Sequence, residues 1–326
     1  MGLVVGVDVG GARIAAGLVD PDGRVLIRQT IPTPKGAAEL LPSVHALVNA
    51  FRGGYAIEAV GLGVAGFVDR DRSTVLFSAH AGWANEPLGA QLAQRLGLPV
   101  VVENGGSAAA WAEARFGAGA GESSLVSCSI GTGLGGGSVI DGKLYRGRFG
   151  VAAEYGHIPV VPDGLLCGCG NRGCWQLYAS GAALAREARE LASSGAPEAK
   201  PLLARAGGDV DEIGYRVVTA VARDGDPTAL AMVEHLGHWL GTGIATVASV
   251  LDPGCVVIGG RLLAALVGVA ATPDSDGVDL LLEPARDAFR RCLPGRGYRQ
   301  EATIQPSRLG PEAGLIGAAD LARTPL

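Results

Sequence analysis

Leu3-Val4-Val5-Gly6-Val7-Asp8-Val9-Gly10-Gly11 opens the chain, and its reading decides the fold. An apolar run that closes on Asp-x-Gly-Gly reads as a buried strand delivering a carboxylate and a glycine turn to its C-terminal end. A second strand is expected over 14–19, a turn at Pro21-Asp22-Gly23 and a third strand over 24–31, so the opening strand runs into a hairpin. Helical spacing follows over 36–52, through Leu40, Leu41, Val44, Leu47, Val48 and Phe51. Strand 60–64 ends in Gly63-Val64-Ala65-Gly66, then come a helix over 88–96, a strand over 100–102 and an Ala-rich helix over 108–116. The pattern then restarts. Residues 124–130 form a strand that ends in Gly131-Thr132-Gly133, and a hairpin turns at Asp141-Gly142 between 138–140 and 143–145. Helices are expected over 180–195, 211–223, 227–250 and 313–322, with a strand over 255–258 that ends in Gly259-Gly260. Two α/β halves, each opening with strand, glycine turn and hairpin, read as an internal duplication of architecture.

The length of 326 residues fits one large domain or two ordinary ones, and 48% hydrophobic residues supply ample core. A net charge of −5 leaves no basic footprint for a nucleic-acid partner. No apolar run reaches the ~18–20 residues of a membrane span. The first residues have neither a basic segment nor a cleavage site of the secretory kind, so the expected location is cytoplasmic.

Asp8 with Gly10 and Gly11, the Gly131-Thr132-Gly133 turn, and Gly259-Gly260 each end an apolar strand. Singly, each is also what a tight strand turn needs. Together, in order within a duplicated α/β frame, they point to a nucleotide cleft, because glycines let backbone N–H groups approach phosphate oxygens at strand ends. Asp8 would then hold Mg²⁺ or orient the transferred phosphoryl group of ATP. None of the three is a Walker A loop, which closes on Gly-Lys-Ser/Thr.

A second motif reads Glu154-Tyr155-Gly156-His157, then Cys167-Gly168-Cys169-Gly170-Asn171-Arg172-Gly173-Cys174-Trp175-Gln176. Three thiolates and one imidazole, His157, Cys167, Cys169 and Cys174, make a closed set for structural Zn²⁺. The alternative is a loop of reduced, packed cysteines. The metal would pin the loop that carries His157 and Gln176.

These segments, with Leu309-Gly310-Pro311-Glu312-Ala313-Gly314, resemble the ROK family of repressors and sugar kinases over essentially the whole chain, and most closely its actinobacterial glucokinases. The resemblance implies the actin-like ATPase (ribonuclease H-like) fold, α/β and duplicated, with two domains around a nucleotide and sugar cleft. The expected division is 1–107 plus 304–326 as a small domain and 108–303 as a large one carrying the zinc loop 154–176. ROK repressors carry an N-terminal helix-turn-helix arm. This chain begins at the phosphate strand, which aligns it with the kinase-like branch. The resemblance also implies ATP with Mg²⁺, a sugar-like ligand held by Gly66, Asn104, Glu154, His157 and position 176, and a homodimer or homotetramer.

The chain departs from the pattern at the sugar site. Family kinases read Glu-Asn-Asp-Ala-Asn-Ala-Ala-Ala where this sequence has Glu103-Asn104-Gly105-Gly106-Ser107-Ala108-Ala109-Ala110. The Asp that takes the proton from the sugar 6-hydroxyl is therefore Gly105. The Glu after Cys-Trp is Gln176, the Thr-Lys after the first glycines is Ala12-Arg13, and the loop before the Pro-Leu helix reads His80-Ala81-Gly82-Trp83. General-base catalysis contributes roughly 10²–10⁴-fold, so glucose phosphorylation should be severely impaired. A larger and less acidic pocket should also suit a bulkier or anionic ligand. Three readings follow: a pseudokinase that binds a sugar-like ligand, ATP or both; an active kinase of a modified sugar, amino sugar or cyclitol; and a regulatory or structural partner of an active paralogue. His80 is a candidate substitute base. Glu103 reads as a structural acid, since its side chain should point to the face opposite position 104. Arg13 reads equally as a phosphate contact or a solvated hairpin residue, and Trp83, Trp111, Trp175 and Trp239 as core or wall.

Overall fold

A computed structural model describes residues 2–34, 37–78, 81–266 and 279–323. The first half runs β1 (Leu3–Val9), β2 (Arg13–Val19), β3 (Val25–Pro32), α1 (Ala37–Arg52), β4 (Ile57–Val64), β5 (Phe67–Val68), β6 (Val75–Ser78), β7 (Trp83–Glu86), α2 (Leu88–Leu96), β8 (Val100–Asn104) and α3 (Gly105–Phe116). The second runs β9 (Leu125–Ile130), β10 (Leu134–Ile140), β11 (Lys143–Leu144), α4 (Gly181–Ser193), α5 (Lys200–Arg205), α6 (Tyr215–Arg223), α7 (Pro227–Leu251), β12 (Cys255–Gly259), α8 (Arg261–Leu266), α9 (Asp279–Cys292), β13 (Thr303–Pro306) and α10 (Ala313–Arg323).

One five-stranded sheet has the order β3-β2-β1-β4-β8, and the other has β11-β10-β9-β12-β13. The two orders match strand for strand: a hairpin-linked run, then two strands added beyond its first member. In the first sheet β2 is antiparallel to β1 and β3, whereas β4 and β8 are parallel additions. The duplication and the α/β fold expected from the sequence are therefore present. A small antiparallel sheet, β5-β6-β7, was not expected, because its strands are too short to show periodicity.

The chain divides into two compact units, Met1–Ser127 with Gly136–Glu154 and Pro311–Leu326, and Cys128–Gly135 with Tyr155–Gly310. The boundaries differ from those expected, since 108–127 and 136–154 fall with the first unit. The reason lies in α3, which packs on α10 so tightly that a Cβ on Gly317 would sit 1.8 Å from the Ala108 carbonyl oxygen.

Within the first unit, strand alternation sorts the two faces of the sheet. Val5, Val7 and Val9 point into a core with Leu62, Val64 and Val102, covered by Val44 and Val48 of α1 and Leu88 and Leu92 of α2. Gly6 and Gly61, paired in register, point to the other face, where α10 lies directly on backbone: a Cβ there would meet the carbonyl oxygen of Leu315 at 2.1 Å or of Ala318 at 1.8 Å. Asp8 alternates onto that same face, beyond the glycine seat.

Two differences bear on the site. Helix α3 begins at Gly105, three residues before the expected start, because Asn104 caps it. The expected helix over 211–223 is a 3₁₀ turn at Val210–Glu212 followed by α6, which begins after Gly214. Among the described residues no helix is long and apolar enough to cross a membrane.

Candidate functional site

In the first unit the strand ends of β1, β4 and β8 carry Asp8, Gly66 and Asn104, and Glu154 closes the group. Asn104 ends β8 in extended conformation and caps α3, its Oδ1 accepting from Gly106 N at 2.8 Å and Ser107 N at 3.1 Å. Its Nδ2 donates to the Gly66 carbonyl at 3.0 Å and to Glu154 Oε1 at 3.2 Å. Both donors of the amide are thus spent, and the side chain ties three segments together. A Cβ on Gly66 would lie 2.6 Å from the Phe77 carbonyl oxygen, so only glycine brings that carbonyl to Asn104.

Glu154 is largely buried, and desolvation pushes its pKa up to about 7. Near neutral pH it is a mixture of acid and carboxylate, able to donate or accept a proton.

Gly105 is the first residue of α3. A Cβ built on it meets only Val64 O at 3.7 Å and Asp8 Oδ1 at 3.8 Å, both ordinary contacts. A side chain fits there, directed into the space beside Asp8. The carboxylate that the sequence lacks at this position is not missing for want of room. Gly314 at the start of α10 borders the same oxygen: a Cβ on it would lie 3.4 Å from Asp8 Oδ1. Gly10 closes the β1–β2 turn, donating to Arg13 O at 3.0 Å and accepting from Thr33 Oγ1 at 2.6 Å, while Gly11 is open to solvent on its Cβ side. Arg13 is exposed at the start of β2.

Glu103 points away from this group, as expected, and is 1% exposed. Its Oε2 faces Arg146 Nε at 2.8 Å and Arg72 Nε at 3.2 Å. Burial raises its pKa, and the guanidiniums of Arg146 and Arg72 and the Asn104 N–H act against that rise. This ion triad fixes the backbone just before Gly105. The sequence offered no signal for it, because its members lie 31 and 43 positions from Glu103.

In the second unit the ligand atoms of His157, Cys167, Cys169 and Cys174 all lie within 4.8 Å of one another. Cys169 Sγ is 3.6 Å from Cys174 Sγ, and Cys167 Sγ is 3.7 Å from His157 Nδ1. Two donors at about 2.3 Å from one tetrahedral ion stand about 3.8 Å apart, so the donor set fits Zn²⁺. Burial raises the Cys167 pKa, but hydrogen bonds from the Cys169 amide, Gln176, Cys169 and Cys174 outweigh it and leave the thiol below its ordinary value. The knot closes through backbone bonds Cys167 N to Asn171 O, Gly173 N to Leu165 O and Val160 N to Gly173 O, each 2.8 Å.

Gln176 follows the last cysteine. Its Nε2 donates to Cys167 Sγ at 3.4 Å, and its Oε1 lies 2.9 Å from where a Cβ on Gly133 would be. The amide therefore links the cysteine knot to the Gly131-Thr132-Gly133 turn. That turn rests on α4, whose Gly181 and Ala182 N–H groups donate to the carbonyls of Gly131 and Thr132 at 2.8 and 3.0 Å. Gly131 is open on its Cβ side, as an approach to a ligand requires. Gly260 (φ +100°) packs its Cα against the Ile130 backbone, which sets Gly259-Gly260 beside the glycine turn. Trp175 is fully buried and donates to the Trp239 carbonyl; Trp83 is buried, and Trp111 and Trp239 are half-buried. His80 lies outside the described residues.

The expected site residues thus form two groups. Asp8, Gly66, Asn104, Gly105 and Glu154 meet in the first unit. His157, the three cysteines, Gln176 and Gly133 meet in the second, with Gly131 and Gly260 alongside.

A profile of the ROK family matches residues 4–325. A glucokinase of Streptomyces coelicolor is 46% identical over 325 residues, covering 100% of this chain and 99% of that protein. An N-acetylmannosamine kinase of Yersinia pseudotuberculosis is 31% identical over 328 residues, covering 100% of both. Among solved structures, a ROK family glucokinase from Streptomyces griseus in complex with glucose and AMPPNP is 48% identical with a TM-score of 0.89, covering 99% of both chains.

Proposed function

The chain belongs to the ROK family, and from that premise we propose that it is a sugar-kinase homologue that binds a sugar-like ligand, with ATP and Mg²⁺, and does not phosphorylate glucose efficiently. One observation carries the second half of this reading: position 105 bears no side chain, although the space beside Asp8 accepts one. Proton transfer by a positioned base contributes roughly 10²–10⁴-fold, and nothing stands in that place to supply it. The sugar-kinase lineage draws support from relatives named glucokinase and N-acetylmannosamine kinase that align end to end.

Within this reading the sugar-binding roles that the resemblance implies fall on Gly66, Asn104 and Glu154 in the first unit and on His157 and Gln176 in the second. Gly10, Gly11, Gly131, Thr132, Gly133, Gly259 and Gly260 hold nucleotide phosphates, and Asp8 orients them and their Mg²⁺. His157, Cys167, Cys169 and Cys174 would hold Zn²⁺, which would supply a structural cross-link and no chemistry of its own. Gln176 holds its amide toward Cys167 and Gly133, so its pull on a sugar hydroxyl is weaker than that of a carboxylate. Assembly into a homodimer or homotetramer belongs to the same reading, and light scattering tests it.

A second reading, an active kinase of a modified sugar, amino sugar or cyclitol, is favoured by Glu154. A carboxyl with a pKa of about 7 matches what a general base needs at neutral pH. ADP release with Mg-ATP across sugars, amino sugars, cyclitols and sugar acids separates the two. Silence from the natural chain with glucose turnover in Gly105→Asp, Gln176→Glu supports the first. Turnover of a panel member by the natural chain, abolished by Asp8→Ala, sinks it and supports the second. Failure of both proteins to bind or turn over any panel member removes the sugar site and leaves a regulatory partner of an active paralogue.

A further inference from the structure

The loop after β5 and the loop after β11 come together in the first unit and bound an open cleft of about 800 Å³. Four of its lining residues are arginines: Arg70, Arg72, Arg146 and Arg148. In a chain with net charge −5, such a concentration of cations needs an explanation beyond solubility.

The four are not equivalent. Arg146 is spent on the protein. Its Nε faces Glu103, and its two terminal nitrogens donate to the carbonyls of Arg70 and Asp69 at 2.8 Å each. Arg72 Nε faces the same carboxylate at 3.2 Å as an ion pair, and its carbonyl accepts from Val102 N at 2.8 Å. Arg70 and Arg148 pair with no carboxylate among the described residues. Arg148 lies over the exposed Phe149 ring, 5.8 Å from its centroid, and Arg70 is exposed. Glu103 lies beneath Arg72 and Arg146, and Asp71 stands between Arg70 and Arg72 in the chain, so the cluster is basic by its two exposed guanidiniums without a carboxylate partner among the described residues, Arg70 and Arg148. The nearby Asp69 is turned inward, its Oδ1 accepting from Ser73 N at 2.9 Å and Thr74 N at 3.0 Å.

The frame is rigid. Arg146 bolts one loop to the other, Glu103 anchors Arg146 and Arg72 from beneath, and a Cβ on Gly150 would lie 2.7 Å from the Val68 carbonyl oxygen. Arg146, fully engaged, and Arg72, held by its Nε, thus frame the two unpaired guanidiniums at the rim of an open cleft. Guanidinium groups bind a phosphoryl dianion through paired, charge-assisted hydrogen bonds. Tyr145, 45% exposed in the same wall, offers a flat apolar face to whatever the phosphate carries.

We propose that this cleft binds the phosphate group of a phosphorylated metabolite, with Arg70 and Arg148 as its ligands and Arg72 and Arg146 as positioning residues. It is separate from Asp8, Asn104 and Glu154, and the proposal does not depend on whether the sugar site turns over. A phosphate monoester is the shared chemistry; a sugar phosphate and a nucleoside monophosphate are its two sources.

Isothermal titration of the full chain with inorganic phosphate, glucose 6-phosphate and AMP at low ionic strength tests it. The comparison is between the natural chain, Arg70→Ala/Arg148→Ala and Arg70→Lys/Arg148→Lys, with melting temperatures recorded for all three. The expected result is binding of at least one phosphate ester more tightly than of inorganic phosphate. The alanine pair should weaken it at least tenfold without lowering the melting temperature, and the lysine pair should restore it in part. Preference for glucose 6-phosphate or for AMP identifies the source. Equal affinity in the alanine pair and the natural chain overturns the proposal, as does an absence of heat with all three probes.

Discussion

At the scale of single residues, Gly105 and Glu154 decide what the first-unit group can do. Gly105 occupies the first position of a helix, where glycine costs about 0.5–1 kcal/mol in chain entropy relative to alanine and an acid gains about 0.3–1 kcal/mol from the helix dipole. Repulsion from Asp8 opposes the gain. Gly105→Asp is therefore expected to leave the melting temperature within a few degrees of the natural chain while restoring a carboxylate to the site, and calorimetry beside the ADP-release assay checks both. Glu154 makes the opposite kind of statement. Its folded-state pKa of about 7 exceeds the ordinary 4.5, so the folded protein binds the extra proton and is penalised once that proton leaves. Its burial costs nothing below pH 4.5 and costs increasingly as pH rises to about 7, up to about 3 kcal/mol in all. Glu154→Gln should flatten the fall in stability between those pH values and leave it unchanged below them. Urea unfolding at a series of pH values measures this. A curve of unchanged slope in the variant would show that the carboxyl is ordinary.

At the scale of elements, α3 is held at its first turn by one amide. Asn104→Ala removes the cap, at about 0.5–2 kcal/mol, and also the two donations from Nδ2. Asn104→Asp separates these effects. It keeps the accepting oxygen for Gly106 and Ser107 but sets a carboxylate against the Gly66 carbonyl and Glu154. We expect Asn104→Asp to retain α3 stability better than Asn104→Ala in hydrogen exchange, and to raise the pKa of Glu154 further by like-charge repulsion. The start of α3 also marks where the sequence was hard to read. Ala108–Phe116 has the composition of a helix, but Gly105-Gly106 has the composition of a turn, and only the cap overrides it. Likewise the short strands of β5-β6-β7 are too brief to carry a period, and α9, with Pro284 inside it and charges on most of its length, hides its apolar face of Leu281, Leu282, Ala285 and Phe289. The long runs of β1, β4, β9 and β12 were legible because both faces of each are covered, so nearly every position is apolar, glycine or small, with Asp8 at the strand end and Glu58 at the strand start as the charged exceptions.

At the scale of the whole molecule, the duplicated strand order follows from two strand–glycine–hairpin openings that the sequence displays. The pairing of groups far apart in the chain does not follow from it. Glu103 with Arg72 and Arg146, or Asp8 with Gly314, could be found only once the sheet and α10 had brought them together. The cysteine set lies between these cases: its spacing raised the expectation of a metal, and the fold brings its four ligand atoms within 4.8 Å of one another. That difference has a consequence for stability. The knot from His157 to Cys174 has few long apolar side chains of its own, since Leu165 and Leu166 are 41% and 65% exposed, so under the proposed reading its order rests on the Zn²⁺ cross-link and a handful of backbone bonds. The first-unit core, by contrast, closes on Val5, Leu18, Leu62 and Leu92 with no cross-link at all. Metal-dependent order is folding energy wherever a site does not preform. Removal of metal by a thiol-compatible chelator is therefore expected to speed hydrogen exchange across 157–178 and in the adjoining 131–133 turn, through Gln176, while β1, β4 and β8 keep their protection. Mass spectrometry resolves these peptides in one experiment. Loss of protection across β1 and β4 to the same extent would mean that the metal stabilises the chain globally. No change over 157–178 would mean that the thiols hold the knot without an ion.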